Sequence, residues 1–425
     1  MVESRIKLIV QAVIILCMII ASIPFITDFI KTDEAEFDDK KIELYSSNLS
    51  GYKNGMLSWK IFADKIWSKK SRYLFYADSI VSGVIYDDNG KVVIDSIKAN
   101  NVKINTRSNS IFISNGVNAR IFTKKKDSEK GLIATTSKNN QIQVKSKELR
   151  FFNESKKTFL SEDVELVKKD TTIKPLGEIE IDTNKNIAYI YNGFSINSSD
   201  FKVSGNSMVI YIDEEQSFLK GDLVFEKLPS KNIAKKVDEQ EEYFRKKSTF
   251  LYCDSAFYNE INDQDRLEVS GNLVIIQDGK KITASEGLYN ESTNSFILEH
   301  DVKLQLRDLG WILDKKKKKE LTNKDIKNSL NLETEIIADK LHFNGDVKQT
   351  RLFGNILVTQ PDKKIWCDKL VLYDEEAIVE CFGNVKLLKE NKDSILSEYL
   401  KIDLKNENFI ARDKVFSEYY LKNEN

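Results

Sequence analysis

The sequence predicts an all-β protein of stacked two-strand units behind one N-terminal transmembrane helix. Three observations predict it. An uncharged apolar stretch opens the chain, alternating apolar residues fill most of the rest, and turn-like dipeptides recur at a nearly constant spacing. The 23 Phe and 16 Tyr, with many Ile and Val, favour strand over helix.

The anchor comes first. Residues 8–26 are an uncharged run of 19, interrupted only by Gln11, Ser22 and Pro24. A helix of that length rises roughly 28 Å, close to the ~30 Å hydrocarbon core of a bilayer. Arg5 and Lys7 precede the run, whereas Asp28, Asp33, Glu34, Glu36, Asp38 and Asp39 follow it, opposed only by Lys31. This asymmetry predicts a cytoplasmic N-terminus and residues 28–425 on the far side of the membrane. A cleaved signal peptide is disfavoured because Ile19 stands where a small residue is wanted. Leu16, before Cys17, is likewise too large for a lipoprotein signal.

The composition of the 425 residues excludes several classes of function. With 65 basic and 66 acidic side chains, no net charge favours nucleic acid. Four cysteines are too few and scattered for a disulfide framework, and two histidines leave little for metal or acid–base chemistry. No cluster of acids or bases marks a catalytic centre, so the expectation is a binding protein with no cofactor.

The repeat carries the most information. The dipeptides are Asn115-Gly116, Glu162-Asp163, Asn192-Gly193, Gly221-Asp222, Gly271-Asn272, His300-Asp301, Gly354-Asn355, Gly383-Asn384 and Arg412-Asp413. Five of the eight gaps between them are 29 or 30 residues. The long gaps hold charge-rich insertions at 124–141, 229–247 and 313–333, the last with five consecutive lysines, Lys315 to Lys319. Two residues before each dipeptide stand Ile113, Leu160, Ile190, Leu219, Val269, Leu298, Leu352, Cys381 and Ile410. Residues two and four positions after its first member are apolar as well, with Lys414 the exception. Same-parity apolar residues share one face of a strand.

A further column of small residues, 15 to 18 positions ahead of most turns, includes Ala99, Ser146, Cys253, Ala284, Ala338, Cys367 and Ser397. Cys253, Cys367 and Cys381 thus read as buried, unpaired core residues. Each unit reads as two strands of about 6–9 residues, and a lone hairpin cannot bury its apolar face, so the units must stack. Nine units imply roughly 18 strands, with one or two more near residues 59–63 and 73–80. Split between two sheets, these would extend only ~45 Å.

Some segments resemble a known family. Ser270-Gly271-Asn272-Leu273, Ile282-Thr283-Ala284, Ile337-Ala338-Asp339-Lys340-Leu341 and Phe382-Gly383-Asn384-Val385 resemble the repeats of the OstA/LptA lipopolysaccharide-export proteins. The anchor, followed by Asn54-Gly55-Met56-Leu57-Ser58-Trp59-Lys60-Ile61-Phe62-Ala63, is similar to the family's inner-membrane-anchored member, LptC. The resemblance implies a β-jelly-roll of two facing sheets around a groove for lipid acyl chains, docked on an inner-membrane ABC transporter. The chain is about twice the length expected of the anchored member.

The expected organisation is a cytoplasmic tip and anchor (1–27), a linker (28–50), an LptC-like jelly-roll (51–228), a charged linker or loop (229–247) and an OstA/LptA-like jelly-roll (248–425). Ile113, Leu160, Ile190, Leu219, Val269, Leu298, Leu352 and Ile410 are the groove candidates. The expected partners are lipopolysaccharide, the transporter and another β-jelly-roll protein or second copy joined by edge-strand pairing. The rival expectation is a structural or adhesive β-repeat envelope protein with no lipid ligand.

Overall fold

The computed structural model describes residues 42–69, 73–122, 141–229, 246–261, 264–307, 309, 313, 321–322 and 324–419. The predicted anchor, Cys17, Lys315 to Lys319 and most of the first two insertions lie outside these residues. Among the described residues no helix is long and apolar enough to cross a membrane.

Four long strands open the fold: β1 (Ile42–Lys53), β2 (Met56–Ser68), β3 (Leu74–Tyr86) and β4 (Val92–Asn105). Twelve short ones follow. They are β5 (Ser110–Ser114), β6 (Val117–Phe122), β7 (Gln141–Ser146), β8 (Glu148–Phe152), β9 (Lys157–Ser161) and β10 (Glu165–Lys168). Next come β11 (Thr171–Pro175), β12 (Ile179–Asp182), β13 (Ile187–Ile190), β14 (Phe194–Asn197), β15 (Phe201–Gly205) and β16 (Ser207–Tyr211).

Long strands then resume: β17 (Gln216–Lys227), β18 (Thr249–Ile261), β19 (Gln264–Gln277), β20 (Lys280–Asn290) and β21 (Ser295–Leu306). A short helix, α1 (Lys324–Ser329), precedes β22 (Thr334–Asn344), β23 (Gln349–Gln360), β24 (Lys363–Tyr373), β25 (Ile378–Lys389) and β26 (Ser394–Asp403). The described fold closes with β27 (Asn408–Arg412) and β28 (Phe416–Glu418).

The pairing is antiparallel throughout and joins each long strand to the next in sequence. The short strands are broken halves of long ones. Both β5 and β6 lie on β4, with Ile113 opposite Val102 and Ile121 opposite Ile94. Asn115-Gly116 therefore marks a corner at which one strand leaves the first sheet and enters the second. The first sheet takes β5, β8, β9, β12, β13 and β16, and the second takes β6, β7, β10, β11, β14 and β15. From β17 onward the strands run unbroken, but their register still shifts at each corner, as between Ser270 and Leu273 in β19.

The predicted turns are thus corners inside strands, and the hairpin turns lie elsewhere, along two outer rims. Four long strands, six broken ones, ten unbroken ones and a final broken one make 21, each contributing to both sheets. Twenty steps of about 4.8 Å give a ladder of roughly 100 Å, twice the length expected from strands divided between the sheets. The ladder also continues between the two predicted halves, since β17 pairs with β18, Leu219 opposite Ala256 and Phe225 opposite Leu251.

Corner chemistry explains the sequence columns. Gly354 and Asn355 both adopt positive φ, 76° and 45°, where glycine is favoured and Asn tolerated. On the adjacent strand the corner falls at a small residue followed by an acid, as in Ala338-Asp339 or Cys367-Asp368. Asn272, Asn355 and Asn384 donate side-chain amide bonds to Asp254, Asp339 and Asp368 at 2.9, 3.0 and 2.8 Å. A Cβ on Gly354 would clash with the Asp339 carboxylate and lie 2.9 Å from the Asp339 Cβ, so the bonded acid disfavours a side chain there as well.

Candidate functional site

Two unbroken rows of inward side chains line the space between the sheets. On the first sheet, register partners run from Val102 through Ile113, Leu149, Leu160, Ile179, Ile190, Met208 and Leu219. They continue through Ala256, Val269, Gly287, Leu298, Leu341, Leu352, Leu370, Cys381 and Leu400 to Ala411. The second sheet has its own row from Ala119 to Ile395, including Leu166, Ile196, Phe225, Ile275, Leu304, Val358 and Leu387. The two rows meet in a single apolar core.

Seven of the eight predicted groove residues fall on the first row. Ile113, Leu160, Ile190, Leu219, Val269, Leu298 and Leu352 alternate along it, each no more than 3% exposed. Ile410 does not. It pairs with Lys401 on the outer face, and its neighbour Ala411 packs on the core instead. The cause is a one-residue shift, because the final corner is Asp413-Lys414, with φ of 63° and 53°, rather than Arg412-Asp413.

The interior is filled, and the sheet edges opposite the corners close over it. Hairpin turns alternate between a first-sheet rim and a second-sheet rim, and among the described residues side chains join the rims along their length. At the N-terminal end, Ser58 on the second rim donates to Asn153 on the first. Lys156, from the β8–β9 turn, donates to Ser58 and to the Tyr86 carbonyl at 3.3 Å, and its ammonium lies 3.3 Å from Asp88. Asn184 of the β12–β13 turn binds both the Asp88 amide and its carboxylate.

Further along, Lys168 on the second rim donates to Glu215 on the first at 2.7 Å. In the C-terminal half, described residues of the connection between β21 and β22 reach the opposite rim. Leu313, Leu321 and Leu330 pack there on Ala377 and Leu404 of the opposite rim. Thr322 donates to Glu407 at 2.7 Å, while Gln360 donates to the Ser329 carbonyl at 3.0 Å. The sequence marks this connection as a charged insertion, but its spaced leucines make it a strap.

Lys156 is 1% exposed. Burial pushes its pKa below the usual lysine range, against the raising effect of Asp88. Nothing local in the sequence marks it, because Ser58 lies 98 residues away.

Other groups offer less. A surface hollow of about 500 Å³ opens on the outer face of the first sheet between Phe218, Arg266 and Glu299, away from the interior. Glu286, Glu299 and His300 bring possible ligand atoms within 4.8 Å of one another. Glu286 and His300 are exposed, however, and Glu299 is already paired with Lys340.

The fold and interior define a β-jelly-roll of two sheets around a continuous apolar core. Residues 8–177 match the family described as lipopolysaccharide-assembly, LptC-related. LptH of Pseudomonas aeruginosa, described as the LptA-homologous periplasmic component of the lipopolysaccharide transport device, is similar at 15% identity. That likeness covers 32% of this chain and 82% of LptH, with a TM-score of 0.24. No curated protein matches.

Proposed function

We propose that the chain is a membrane-anchored periplasmic bridge component. It would take lipopolysaccharide acyl chains between its sheets and pass them from an inner-membrane ABC transporter towards the outer membrane. The observation that carries this reading is the first-sheet row, which stays apolar through both halves without a polar interruption. Exposing an acyl chain to water costs about 0.8 kcal/mol per CH₂, so ~10 kcal/mol for a 12-carbon chain. A carrier therefore needs an apolar path without gaps. Transfer from bilayer to such a path is near neutral, and direction must come from the transporter.

In this reading residues 8–26 span the inner membrane with the N-terminus in the cytoplasm. Residues 51–228 and 248–425 act as two jelly-roll units along one path. A photo-crosslinking residue at Val269, Leu298 or Leu352 should capture labelled lipopolysaccharide. One at Lys303, which faces outward and pairs with Glu335 at 2.8 Å, should capture much less. Equal labelling at both kinds of position would reject the path, and a chain that never carries lipid would be the adhesive rival.

A further inference from the structure

The N-terminal clasp is built unlike the rest of the mouth. A Leu or Met at position 156 would cover Phe151, which is 0% exposed and lies 6.0 Å from the Lys156 ammonium, with no charge to desolvate. Burying an ammonium costs several kcal/mol unless it is well partnered. Here Ser58, Tyr86 and Asp88 surround it. Lys53 approaches the same carboxylate at 3.6 Å and donates to the Glu154 carbonyl at 3.1 Å. Asp87 is nearby, but its carboxylate is held by the Asn89 and Lys91 amides of its own turn. Asp88 is therefore the carboxylate that the two lysines share, and its side chain is 40% exposed.

An amphiphile whose chains lie between the sheets has its head at the level of the rims. At this clasp, parting the rims would bring that head against two ammonium groups. Building on the lipid-binding function above, we propose that Lys156 and Lys53 form a headgroup site, at which an acidic group of the phosphate class replaces Asp88 as the rims part. Asp88 is then a built-in stand-in for the ligand's charge. It holds the mouth shut when no ligand is present and keeps the desolvated lysine paired. Phosphate matches the site because it offers several acceptor oxygens to two point-charge donors.

The test uses the full chain in phosphatidylcholine vesicles that contain a photoactivatable phosphatidic acid, or a diacylglycerol with the same chains. Labelling is read on peptides spanning 148–161. The expected result is stronger labelling by phosphatidic acid. Lys156→Met should lower it about tenfold, the factor set by one charge-assisted contact of roughly 1.4 kcal/mol, and leave diacylglycerol labelling unchanged. Asp88→Asn, which removes the competitor and keeps both lysines, should raise it. Equal labelling by the two lipids in the wild type overturns the headgroup site and leaves the lipid path standing. So does an Asp88→Asn chain that labels no better than the wild type. Suppression by millimolar inorganic phosphate in Asp88→Asn, with no preference between the lipids, would assign the lysines to free phosphate and overturn the proposal. No labelling by either lipid removes the lipid path along with it.

Discussion

Lys414 donates to Glu398 at 2.9 Å, and this ion pair occupies the place held one unit earlier by Asn384 and Asp368. In both, the second residue of a positive-φ corner reaches the acid that follows the small corner residue on the adjacent strand. The last unit thus keeps the corner geometry with different chemistry. An amide–carboxylate bond is replaced by an ammonium–carboxylate pair, which raises the Lys414 pKa and lowers that of Glu398.

The corners offer a direct test. Gly354→Ala should destabilise the fold by about 1–3 kcal/mol, combining left-handed strain with the clash against Asp339. Adding Asp339→Ala, which removes the carboxylate but keeps the Cβ 2.9 Å away, should recover part of the steric cost and leave the backbone part. Denaturant titration of the three variants separates them. A single variant as stable as the wild type would show that the corner tolerates a Cβ.

Cys253, Cys367 and Cys381 are buried and free. Burial pushes the Cys253 thiol up to about 12. The neighbouring Cys367 and burial push the Cys381 thiol well up. In a chain with Cys17 replaced by Ala, none of the three should react with a thiol reagent at neutral pH until denaturant is added. Rapid reaction of Cys253 in the native state would contradict its burial.

The legible part of this architecture was its periodicity. Seven of the eight candidates read from apolar alternation lie on the first row, because side-chain parity does not depend on which strand comes next. What the dipeptides do was not legible. Gly-Asn supplies positive φ equally well to a tight hairpin and to a corner within a strand, and only pairing distinguishes them. Arg412-Asp413 and Asp413-Lys414 likewise differ by one residue in a polar stretch, yet that slip moves Ile410 to the outer face. The clasp was invisible for another reason. Ser58, Asp88 and Lys156 belong to three separate turns and strand ends, and each alone looks like an ordinary surface residue.

Asp374 should make stability fall as pH rises through neutrality. Burial lifts its pKa from the usual carboxylate value to about 7, against the lowering effect of Lys280 and Lys348, and one carboxylate oxygen lacks a hydrogen-bond partner. The folded state therefore holds a proton here that the unfolded state has lost. Between the unfolded carboxylate range and about pH 7 that proton favours folding, and the advantage declines by at most about 1.4 kcal/mol per pH unit. Asp374→Asn should flatten this dependence in thermal melts between pH 5 and 8, a window set by the same linkage. A wild type whose melting temperature does not change across the window would refute it.

The strap across the C-terminal mouth should be separable from the sheets. Its leucines form a small cluster of their own with Ala377 and Leu404. Leu321→Ala and Leu330→Ala should each cost about 2–4 kcal/mol of local packing. Their first effect should be faster hydrogen exchange at the Leu309 amide, which donates to the Leu330 carbonyl at 2.8 Å. Exchange in β23 and β24 should change less, because their ladder bonds do not pass through the strap. Uniform acceleration across β22 to β26 would mean that strap and sheets open as one unit.

The C-terminal edge should dock another β protein. Within the described residues β27 and β28 pair only with β26, so their outer backbone groups face no described strand. Phe409, Val415, Phe416 and Tyr419 are 45%, 52%, 55% and 67% exposed there. An apolar, unpaired edge is a template for strand addition. The opposite end is similar, since among the described residues β1 pairs only with β2 and leaves Tyr45 and Tyr52 more than half exposed. A second copy could therefore join head to tail, and so could a different jelly-roll protein. The exposed Lys414 works against docking, because charged side chains protect natural edges. Deleting residues 408–425 exposes β26 in place of β27 and β28 and removes all four exposed apolar residues. The truncated chain should keep its β circular dichroism and lose partner capture or self-association. If it stays folded and still binds as the full chain does, the edge is not the docking surface.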